Sequence, residues 1–305
     1  MTRVAVVQAA SVGFDLDASL EKADRLVAQA AQQGAQLVVL PEAFLGSYPA
    51  GLDFGARVGT RDDAGREMWR RYYEGSVDLD GEHAQRIGAI AERHGVHLVI
   101  GLVERSGGTL FCCTAMFAPD GTFLARHRKL VPTGMERLIW GRGDGSTLPV
   151  VETAIGRIGS AICWENYMPL LRTSLYAKGV QWYCASTVDD RDVWVPSMRH
   201  IAVEGRCFVL SSCQFATRAD YPEDFPTNLG TDPASVLIRG GSCIVDPFGK
   251  LLVGPVYGEE AVLVAEADFD QILRGKYDLD VTGHYSRPDV FRLSVDETPR
   301  GVEFN

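Results

Sequence analysis

The fold is decided by the stretch Gly159-Ser160-Ala161-Ile162-Cys163-Trp164-Glu165-Asn166. Its small and apolar residues predict a buried strand that ends at Cys163. A helix is predicted from about Met168 to Lys178, because Pro169 suits a first helical turn and Gly179 is a stop signal. A thiol between the end of a strand and the start of a helix is open to a ligand and lies near backbone N–H groups, which favour the thiolate and stabilise an oxyanion. Cys163 is therefore a candidate nucleophile, although an isolated cysteine is more often a buried filler.

The composition argues against several classes of protein. The chain has 305 residues, of which 46% are hydrophobic, enough for one large domain or two small ones. The net charge of −10 and the lack of a basic run argue against nucleic acid or an anionic membrane surface as partner. No apolar run approaches the roughly 18 residues of a membrane span. Since an apolar strand follows Met1-Thr2-Arg3 directly, we expect no signal peptide and a cytoplasmic location.

The seven cysteines indicate a reducing compartment and free thiols. Their number is odd, and most of them lie inside apolar strands. Cys112 and Cys113 are adjacent, which is not the spacing of metal ligands. His94 and His97 flank a predicted helix–strand junction, so they do not share one helix face. We therefore expect no metal site.

The second half of the chain repeats the order of elements in the first. The first half predicts a strand at 36–40, a helix at 82–94, a strand at 97–103 and a hairpin turning at 119–121. The second half predicts a strand at 180–185, a helix at 193–205, a strand at 207–212 and a hairpin turning at 246–249. We expect two similar halves, each a sheet with helices on its outer face. Packed sheet to sheet, they form an α/β fold, a four-layer α-β-β-α sandwich with one shared core.

Two segments lack this regular pattern. Residues from about 46 to 80 form a long insertion with one predicted helix, and loops of this length are usually functional or contact a partner. Residues from about 276 to 305 have little periodicity and are expected to pack along the surface or against a neighbouring subunit. No Pro/Ser-rich linker separates the halves, so we expect residues 1–305 to form a single domain.

Three ionisable residues follow the ends of predicted strands: Glu42, Lys129 and Cys163. The carboxyl ends of strands in α/β sheets are where sites collect. Cys163 suits the role of nucleophile, and Glu42 suits that of a general base that takes the thiol proton and later activates water. Lys129 suits the role of a cation that stabilises a negative intermediate. Each residue alone is more often an ordinary structural residue, so the hypothesis depends on the combination.

Three segments resemble the signature motifs of the carbon–nitrogen hydrolase superfamily, and more narrowly those of its nitrilase branch. They are Leu-Pro-Glu-Ala-Phe at 40–44, Arg-Lys-Leu-Val-Pro-Thr at 128–133 and Ile-Cys-Trp-Glu-Asn-Tyr-Met-Pro-Leu at 162–170. Further stretches at 136–146, 198–209 and 283–291 agree with that branch. The resemblance therefore covers nearly the whole chain.

The resemblance implies a hydrolysis of an organic nitrile to a carboxylic acid and ammonia, without a cofactor. The thiolate of Cys163 attacks the nitrile carbon and gives a covalent thioimidate. Water activated by Glu42 then adds, ammonia leaves and the resulting thioester is hydrolysed. Lys129 and the backbone N–H of Trp164 are implied to stabilise the charged intermediates. Glu136 is similar to the second glutamate of the family and is expected to orient Lys129 and the substrate.

The layout of the family also suggests which residues line the substrate pocket. Tyr48, Trp164, Thr187 and Val188 are expected near the site, with Trp194 close by. The aromatic side chains suit an aryl or arylaliphatic nitrile, but the same residues are equally common in protein cores.

A Cys/His pair is the competing mechanism, and it would use His127 or His200. His200 lies on the predicted helix 193–205, whose apolar residues indicate a buried face, so we expect a core histidine there. His127 stands between two arginines and is expected to pack at the end of its strand. The resemblance favours neither histidine as catalytic.

Other functions stay open on the sequence alone. The same chemistry serves a cyanide-hydrolysing enzyme and an aliphatic amidase, although Cys-Trp-Glu-Asn favours nitriles over amides. A catalytically silent scaffold is the alternative from a different class, and the intact Glu42, Lys129 and Cys163 argue against it. The expected partners are a small-molecule nitrile and further copies of the chain, as a homodimer or a larger homo-oligomer.

Overall fold

The structure is a computed structural model that describes residues 1–56, 58–224 and 229–300. The strands are β1 (Thr2–Gln8), β2 (Leu37–Val39), β3 (His97–Ser106), β4 (Thr109–Phe117), β5 (Phe123–Arg128), β6 (Val150–Thr153), β7 (Gly156–Ile162), β8 (Trp182–Thr187), β9 (Phe208–Cys213), β10 (Phe215–Thr217), β11 (Val236–Arg239), β12 (Cys243–Val245), β13 (Leu251–Val253) and β14 (Ala261–Ala267). The helices are α1 (Leu16–Gln32), α2 (Asp63–Glu74), α3 (Glu82–His94), α4 (Pro169–Ala177), α5 (Trp194–Gly205) and α6 (Asp270–Lys276).

These strands pair into two six-stranded sheets and one small ribbon. The first sheet has the order β14-β1-β2-β3-β4-β5, the second has the order β13-β12-β9-β8-β7-β6, and β10 pairs with β11. In each sheet one run of three strands is parallel, β1-β2-β3 in the first and β7-β8-β9 in the second. The remaining neighbours are antiparallel in both sheets. The two halves therefore share one pairing pattern, as the repeated order of elements predicts.

The alternation of side chains along the strands produces four layers. In β1, Ala5 and Val7 face a cluster that includes α1 and α3, whereas Val4 and Val6 face the other sheet. Residues of α4 and α5 cover the outer face of the second sheet in the same way. Because the central strands are buried on both faces, they are continuous apolar runs in the sequence. The predicted four-layer α-β-β-α sandwich is confirmed.

Four elements, β10, β11, β14 and α6, have no counterpart in the sequence-based prediction. β14 pairs antiparallel with the whole of β1, from Thr2 opposite Ala267 to Gln8 opposite Ala261. A strand from the far end of the chain thus completes the first sheet. Local periodicity does not reveal such a pairing, because the partner strands are far apart in the sequence.

The two irregular segments pack on the body of the chain. The predicted insertion contains α2, and Arg57 within it lies outside the described residues. Between residues 278 and 300 there is no helix or strand, but Glu297 pairs with Lys178 at 2.5 Å and the backbone N–H of Arg300 donates to Asp144 at 2.7 Å. Residues 301–305 of the predicted tail lie outside the described residues. In the part of the chain that is described, no helix has the length and apolar character needed to cross a bilayer.

Buried hydroxyl groups join the two sheets across the inner core. The hydroxyls of Thr114 in β4 and Ser160 in β7 are 2.6 Å apart. Ser186 in β8 donates to the carbonyl of Leu40 at 2.8 Å, and Ser212 in β9 donates to the carbonyl of Val7 at 2.5 Å. An apolar interface alone is non-directional, whereas these bonds favour one alignment of the sheets. We call them the inter-sheet hydroxyl bonds.

Replacing Ser186 by alanine tests the inter-sheet hydroxyl bonds. Ser186→Ala removes the donor to the carbonyl of Leu40, so we expect the free energy of unfolding in urea to fall by about 1–2 kcal/mol. Ser174→Ala is the matched control, because Ser174 is also buried but its hydroxyl bonds a carbonyl of its own helix, that of Leu171. Equal stability of the two variants would contradict a role for Ser186 in aligning the sheets.

Candidate active site

Glu42 is placed by a close crossing of two backbone segments. After β2 the chain passes over β3 at Gly101, where a Cβ atom would lie 2.0 Å from the carbonyl oxygen of Pro41. A glycine in the middle of a strand often marks such an approach, and here only glycine leaves room for it. The side chain of Gln214 donates to the backbone carbonyl of Glu42 at 2.7 Å and fixes the segment from the other sheet. Glu42 is fully buried as a result.

The ammonium group of Lys129 joins two carboxylates. Lys129 follows β5, and its backbone N–H donates to the carbonyl of Cys112 at 2.8 Å. Its Nζ donates to Oε1 of Glu42 at 2.7 Å and to Oε2 of Glu136 at 2.8 Å. The side chain of Lys129 is fully buried. Three of the sequence-predicted residues therefore meet in one ion-pair network.

Burial and charge shift the pKa of both partners in this network. Burial raises the pKa of Glu42, and the positive charge of Lys129 opposes that shift without cancelling it. For Lys129, burial works against the charged form, but the carboxylate of Glu42 and its neighbours raise the pKa well above its usual value. The pKa of both groups is thus raised, which favours the charged form of Lys129 and disfavours that of Glu42.

Glu136 is held inside the site rather than in solvent. It lies in a 3₁₀ turn at Gly134–Leu138. Its Oε2 accepts from the backbone N–H of Thr133 at 2.6 Å as well as from Lys129, and its Oε1 accepts from the hydroxyl of Tyr48 at 3.0 Å. Each of these partners donates, so both carboxylate oxygens of Glu136 act as acceptors. The structure thus brings Tyr48, from the insertion, to the same carboxylate as Lys129.

Cys163 arrives from the second sheet. It follows β7 directly, begins a 3₁₀ turn at Cys163–Tyr167 and has a φ of 51°, a strained value for a residue with a side chain. It is 3% exposed and lies in one buried cluster with Cys112 and Trp140, against which Tyr48 and Val188 pack. Burial raises the pKa of the thiol and the charge of Glu42 adds to this, while Lys129 and a hydrogen bond with Thr187 act in the opposite direction. The thiol is therefore protonated at rest and needs a base.

A second carboxylate, Glu165, ties the end of β7 to the segment after β5. Its Oε2 accepts from the backbone N–H of Ile162 at 2.9 Å, and its Oε1 accepts from the backbone N–H of Leu130 at 2.5 Å. One fully buried side chain thus fixes the neighbours of Cys163 and of Lys129 together. No pattern in the sequence predicts this role. The only local signal is a glutamate two residues after the cysteine.

His127 completes this arrangement and is not free to act as a base. Its Nε2 lies 2.8 Å from Oε2 of Glu165 and its Nδ1 lies 2.7 Å from the carbonyl oxygen of Thr147. A carbonyl oxygen only accepts, so Nδ1 carries a hydrogen, and Nε2 donates to the carboxylate. Burial opposes the charged imidazole, but Glu165 outweighs it and raises the pKa of His127. The expected packing of His127 at the strand end agrees with these contacts.

The expectation that His200 is a core histidine is wrong. Its side chain is 66% exposed and lies 3.6 Å from Glu204 on the outer side of α5. The buried face of this helix is formed by Trp194, Met198 and Ile201. His200 follows Met198 by two positions and so lies on nearly the opposite side of the helix.

The structure places only some of the remaining predicted pocket residues beside Cys163 and Glu42. Thr187 is buried beside Cys163, and the backbone N–H of Val188 donates to Oε2 of Glu42 at 3.1 Å. Trp164 is 44% exposed, and its indole N–H donates to Asp189 at 2.9 Å. Trp194 is not part of this group, because it packs in the core between α5 and the second sheet and donates to the hydroxyl of Ser211 at 2.8 Å.

The carbon–nitrogen hydrolase family model matches residues 3–277. The chain belongs to the carbon–nitrogen hydrolase family. A nitrilase of Bradyrhizobium diazoefficiens is 53% identical over 298 residues, which cover 98% of this chain and 93% of that protein. An aliphatic nitrilase of Sinorhizobium fredii is 51% identical over 300 residues, 98% of this chain and 97% of that protein. The predicted place in the nitrilase branch is confirmed.

Similar solved structures and other relatives agree with this family assignment. An amidase from Nesterenkonia sp. AN1 superposes with a TM-score of 0.69 at 21% sequence identity, over 91% of this chain and 98% of that one, and shows the same fold. A protein of Lupinus angustifolius named a bifunctional nitrilase/nitrile hydratase is 52% identical over 304 residues, 97% of this chain and 86% of that protein. Among the described residues of this family member, no group of three or more His, Cys, Asp or Glu side chains is arranged to hold a metal ion.

Replacing His127 tests the pair that it forms with Glu165. His127→Leu leaves a buried carboxylate without its charged partner, so we expect the free energy of unfolding to fall by about 3–5 kcal/mol. His200→Ala is the control, because its exposed pair with Glu204 contributes little. Urea unfolding of both variants measures the difference. A His127→Leu protein as stable as the control would contradict the charged pair.

The same pair predicts how stability depends on pH. The pKa of His127 is raised in the folded chain, so its contribution is present below the unfolded pKa and is lost as the pH rises through the folded value. The pKa of Glu165 is lowered, so its contribution is lost as the pH falls through its folded value. We therefore expect the free energy of unfolding to decline both at low pH and at high pH. Each decline should be weaker in His127→Leu than in the wild type, as measured by urea unfolding across pH.

Proposed function

We propose that this protein is a nitrilase that hydrolyses an organic nitrile to the carboxylic acid and ammonia. The observation that carries the proposal is the buried ammonium group of Lys129, which is held between Glu42 and Glu136 and interacts electrostatically with Cys163. The names of relatives about 50% identical over nearly the whole chain support the same reaction. We assign Cys163 as nucleophile, Glu42 as general base, Lys129 as the stabilising cation and Glu136 as the residue that orients Lys129.

The first chemical step forms a carbon–sulfur bond. Glu42 takes the proton of the Cys163 thiol, and the thiolate adds to the carbon of the nitrile. One π bond of the C≡N group breaks, and the nitrogen receives a proton from Glu42, so the product is a neutral thioimidate. The Nζ–H groups of Lys129 and the backbone N–H of Trp164 stabilise the negative charge that develops on nitrogen during the addition.

Two waters then complete the reaction. The first adds to the thioimidate carbon, and Glu42 takes one of its protons and passes it to the nitrogen. As the C–N bond breaks, Glu42 transfers the remaining hydroxyl proton to the nitrogen, so ammonia leaves and the tetrahedral intermediate becomes a thioester. The second water adds to the thioester carbon with the help of the same base. The carbon–sulfur bond breaks, the acid leaves and the thiol of Cys163 regains its proton. One nitrile and two waters thus give one acid and one ammonia, and Glu42 ends in its starting state.

The surroundings of Cys163 favour a nitrile with an apolar substituent. Phe54, Trp69 and Tyr73, all from the insertion, pack against the cluster that contains Cys163, as does Tyr48. Large aromatic surfaces bind an apolar group and exclude water from the reacting centre. We therefore assign the substrate class as aliphatic or aromatic nitriles without a charge near the reacting carbon.

Release of an amide is the second candidate outcome. If the tetrahedral intermediate expels the thiol of Cys163 instead of ammonia, the product is the amide. The names of the relatives from Lupinus angustifolius and Nicotiana tabacum, which are bifunctional nitrilase/nitrile hydratases, support this branch of the reaction. The homo-oligomer and the cytoplasmic location stay predictions, and light scattering coupled to size-exclusion chromatography tests the first.

A panel of aliphatic, aryl and arylaliphatic nitriles, with cyanide and the matching amides beside them, tests the proposed reaction. We expect ammonia and acid in equal amounts from nitriles, with turnover lost by at least about 10³-fold in Cys163→Ala. Cys184→Ala, which removes a buried thiol from the core between the sheets, should keep its activity. Acid formed only from the amides would make the protein an amidase, and unchanged turnover in Cys163→Ala would exclude the covalent mechanism.

The pH dependence of kcat/KM tests Glu42 as the base. The acid limb of this profile reports the pKa of the essential base in the free enzyme. Because burial raises the pKa of Glu42, we expect the rate to fall on acidification at a pH above the ordinary pKa of a glutamate. Glu42→Gln should abolish turnover at every pH. An acid limb at or below the ordinary glutamate value would contradict the assignment.

A further inference from the structure

A second thiol lies in the site, on a residue to which the proposed reaction gives no role. Cys112 is in β4 and is fully buried, and its Sγ lies 3.4 Å from Oε1 of Glu42. The neighbouring Cys113 is equally buried but belongs to the cluster on the outer face of the sheet, with its Sγ 3.4 Å from the carbonyl oxygen of Thr114. Side chains alternate along a strand, so only Cys112 reaches Glu42.

The thiol of Cys112 is the donor in this contact. Burial raises its pKa well above the usual value, and the negative charge of Glu42 adds to the shift. The sulfur therefore keeps its hydrogen. An ionised carboxylate only accepts hydrogen bonds, so the S–H group points to Oε1.

The two oxygens of Glu42 differ in the number of donors that they receive. Oε1 accepts from Nζ of Lys129 at 2.7 Å and from Sγ of Cys112 at 3.4 Å. Among the residues that the structure describes, Oε2 accepts only from the backbone N–H of Val188, at 3.1 Å. A carboxylate oxygen has about two lone pairs. Both lone pairs of Oε1 are thus occupied, while one of Oε2 is free for a proton.

We propose that Cys112 is a positioning residue whose S–H group occupies Oε1 of Glu42, so that Oε2 is the oxygen that exchanges protons with Cys163 and with water. The proposal rests on the proposed function, in which Glu42 is the base. In each transfer a proton moves from sulfur or water to Oε2 and later returns to nitrogen or sulfur. The bonds of Lys129 and Cys112 to Oε1 persist throughout, so the carboxyl group does not rotate during turnover.

Several charged or titratable side chains face Glu42 from the elements around it and interact electrostatically with its carboxylate. They are Lys129, Glu136, Tyr48, Cys112, Cys163 and Cys213. Of these, only Lys129 and Cys112 have a hydrogen bond to the carboxylate among the described residues. Removing the S–H donor takes stabilisation from the ionised form of Glu42. The base is then protonated at a higher pH than in the wild type.

The experiment compares the pH profiles of the full-length wild type, Cys112→Ala, Cys112→Ser and Cys113→Ala. In Cys112→Ala we expect the acid limb of kcat/KM to move upward by roughly half to one pH unit, since one hydrogen bond to the charged form is lost. KM should change little, because the S–H group of Cys112 is directed at Glu42. Cys112→Ser retains a donor of similar size and should restore the wild-type limb. Cys113→Ala removes the same atom on the other face and should keep the wild-type limb.

The infrared S–H stretching band gives a readout that does not need turnover. The band that is absent from Cys112→Ala should lie at a lower frequency than the band that is absent from Cys113→Ala, because its acceptor is a carboxylate. Glu42→Gln should move the Cys112 band upward, since a neutral amide is a weaker acceptor. A Cys112 band that is unchanged in Glu42→Gln would overturn the proposal.

The outcomes separate this proposal from the proposed function. A wild type that hydrolyses nitriles, with the same acid limb in Cys112→Ala, would overturn the role of Cys112 and leave the nitrilase assignment intact. Equal shifts in Cys112→Ala and Cys113→Ala would show a packing effect and would also overturn it. A wild type that turns over neither nitriles nor amides would refute the proposed function instead, and the infrared bands would still decide the contact between Cys112 and Glu42.

Discussion

The ion pair between Lys129 and Glu42 is the interaction on which the rest of the structure depends. A fully buried ammonium group loses its hydration, and this cost is offset only when its hydrogens meet acceptors in good geometry. Here the acceptors are Glu42 at 2.7 Å and Glu136 at 2.8 Å. They come from the end of β2 and from a turn beyond β5, so the charge is stable only when both segments are in place. The fold must therefore hold both segments close to the positions that these two hydrogen bonds require.

The proposed nucleophile, Cys163, comes from the other sheet, so the proposed reaction depends on the alignment of the two sheets. Lys129 and Glu42 belong to the first sheet, whereas Cys163 and the backbone N–H that holds Glu42 belong to the second. The inter-sheet hydroxyl bonds act at the level of the strands, and one of them ends on Leu40, two residues before Glu42. Glu165 acts closer to the site, because it binds the backbone on each side of the gap. Apolar packing holds the sheets together, and these polar contacts fix the alignment of one sheet relative to the other.

The sequence predicts the elements and residues that depend on local pattern or on a motif. It does not predict contacts between segments that are far apart in the chain. The strands before Glu42 and Cys163 are apolar runs with clear stops, so the positions of these residues are readable. The position of β14 cannot be predicted in this way, since its partner β1 lies at the opposite end of the chain. The need for glycine at position 101 cannot be predicted from the sequence. The carbonyl oxygen of Pro41, which occupies the space that a Cβ would need, belongs to the segment after another strand. His200 lies on the exposed side of its helix, because two residues of helical rotation carry it away from the buried face that contains Met198.

The charge of the buried ionisable groups explains why Glu42 is a suitable proton acceptor for the thiol of Cys163 in the proposed mechanism. Lys129 carries one positive charge, and Glu42 and Glu136 carry two negative charges, so the cluster has a net charge of −1 while the thiol is protonated. Loss of the thiol proton to solvent would raise the negative charge to −2 in a medium of low polarity, and this is why the pKa of Cys163 is high despite the nearby ammonium. Transfer of the same proton to Glu42 leaves the total charge unchanged. Transfer to Glu42 therefore adds no net charge to the buried cluster, whereas escape of the proton to water does. In the proposed mechanism the thiolate is therefore formed by proton transfer within the site rather than by loss of the proton to solvent.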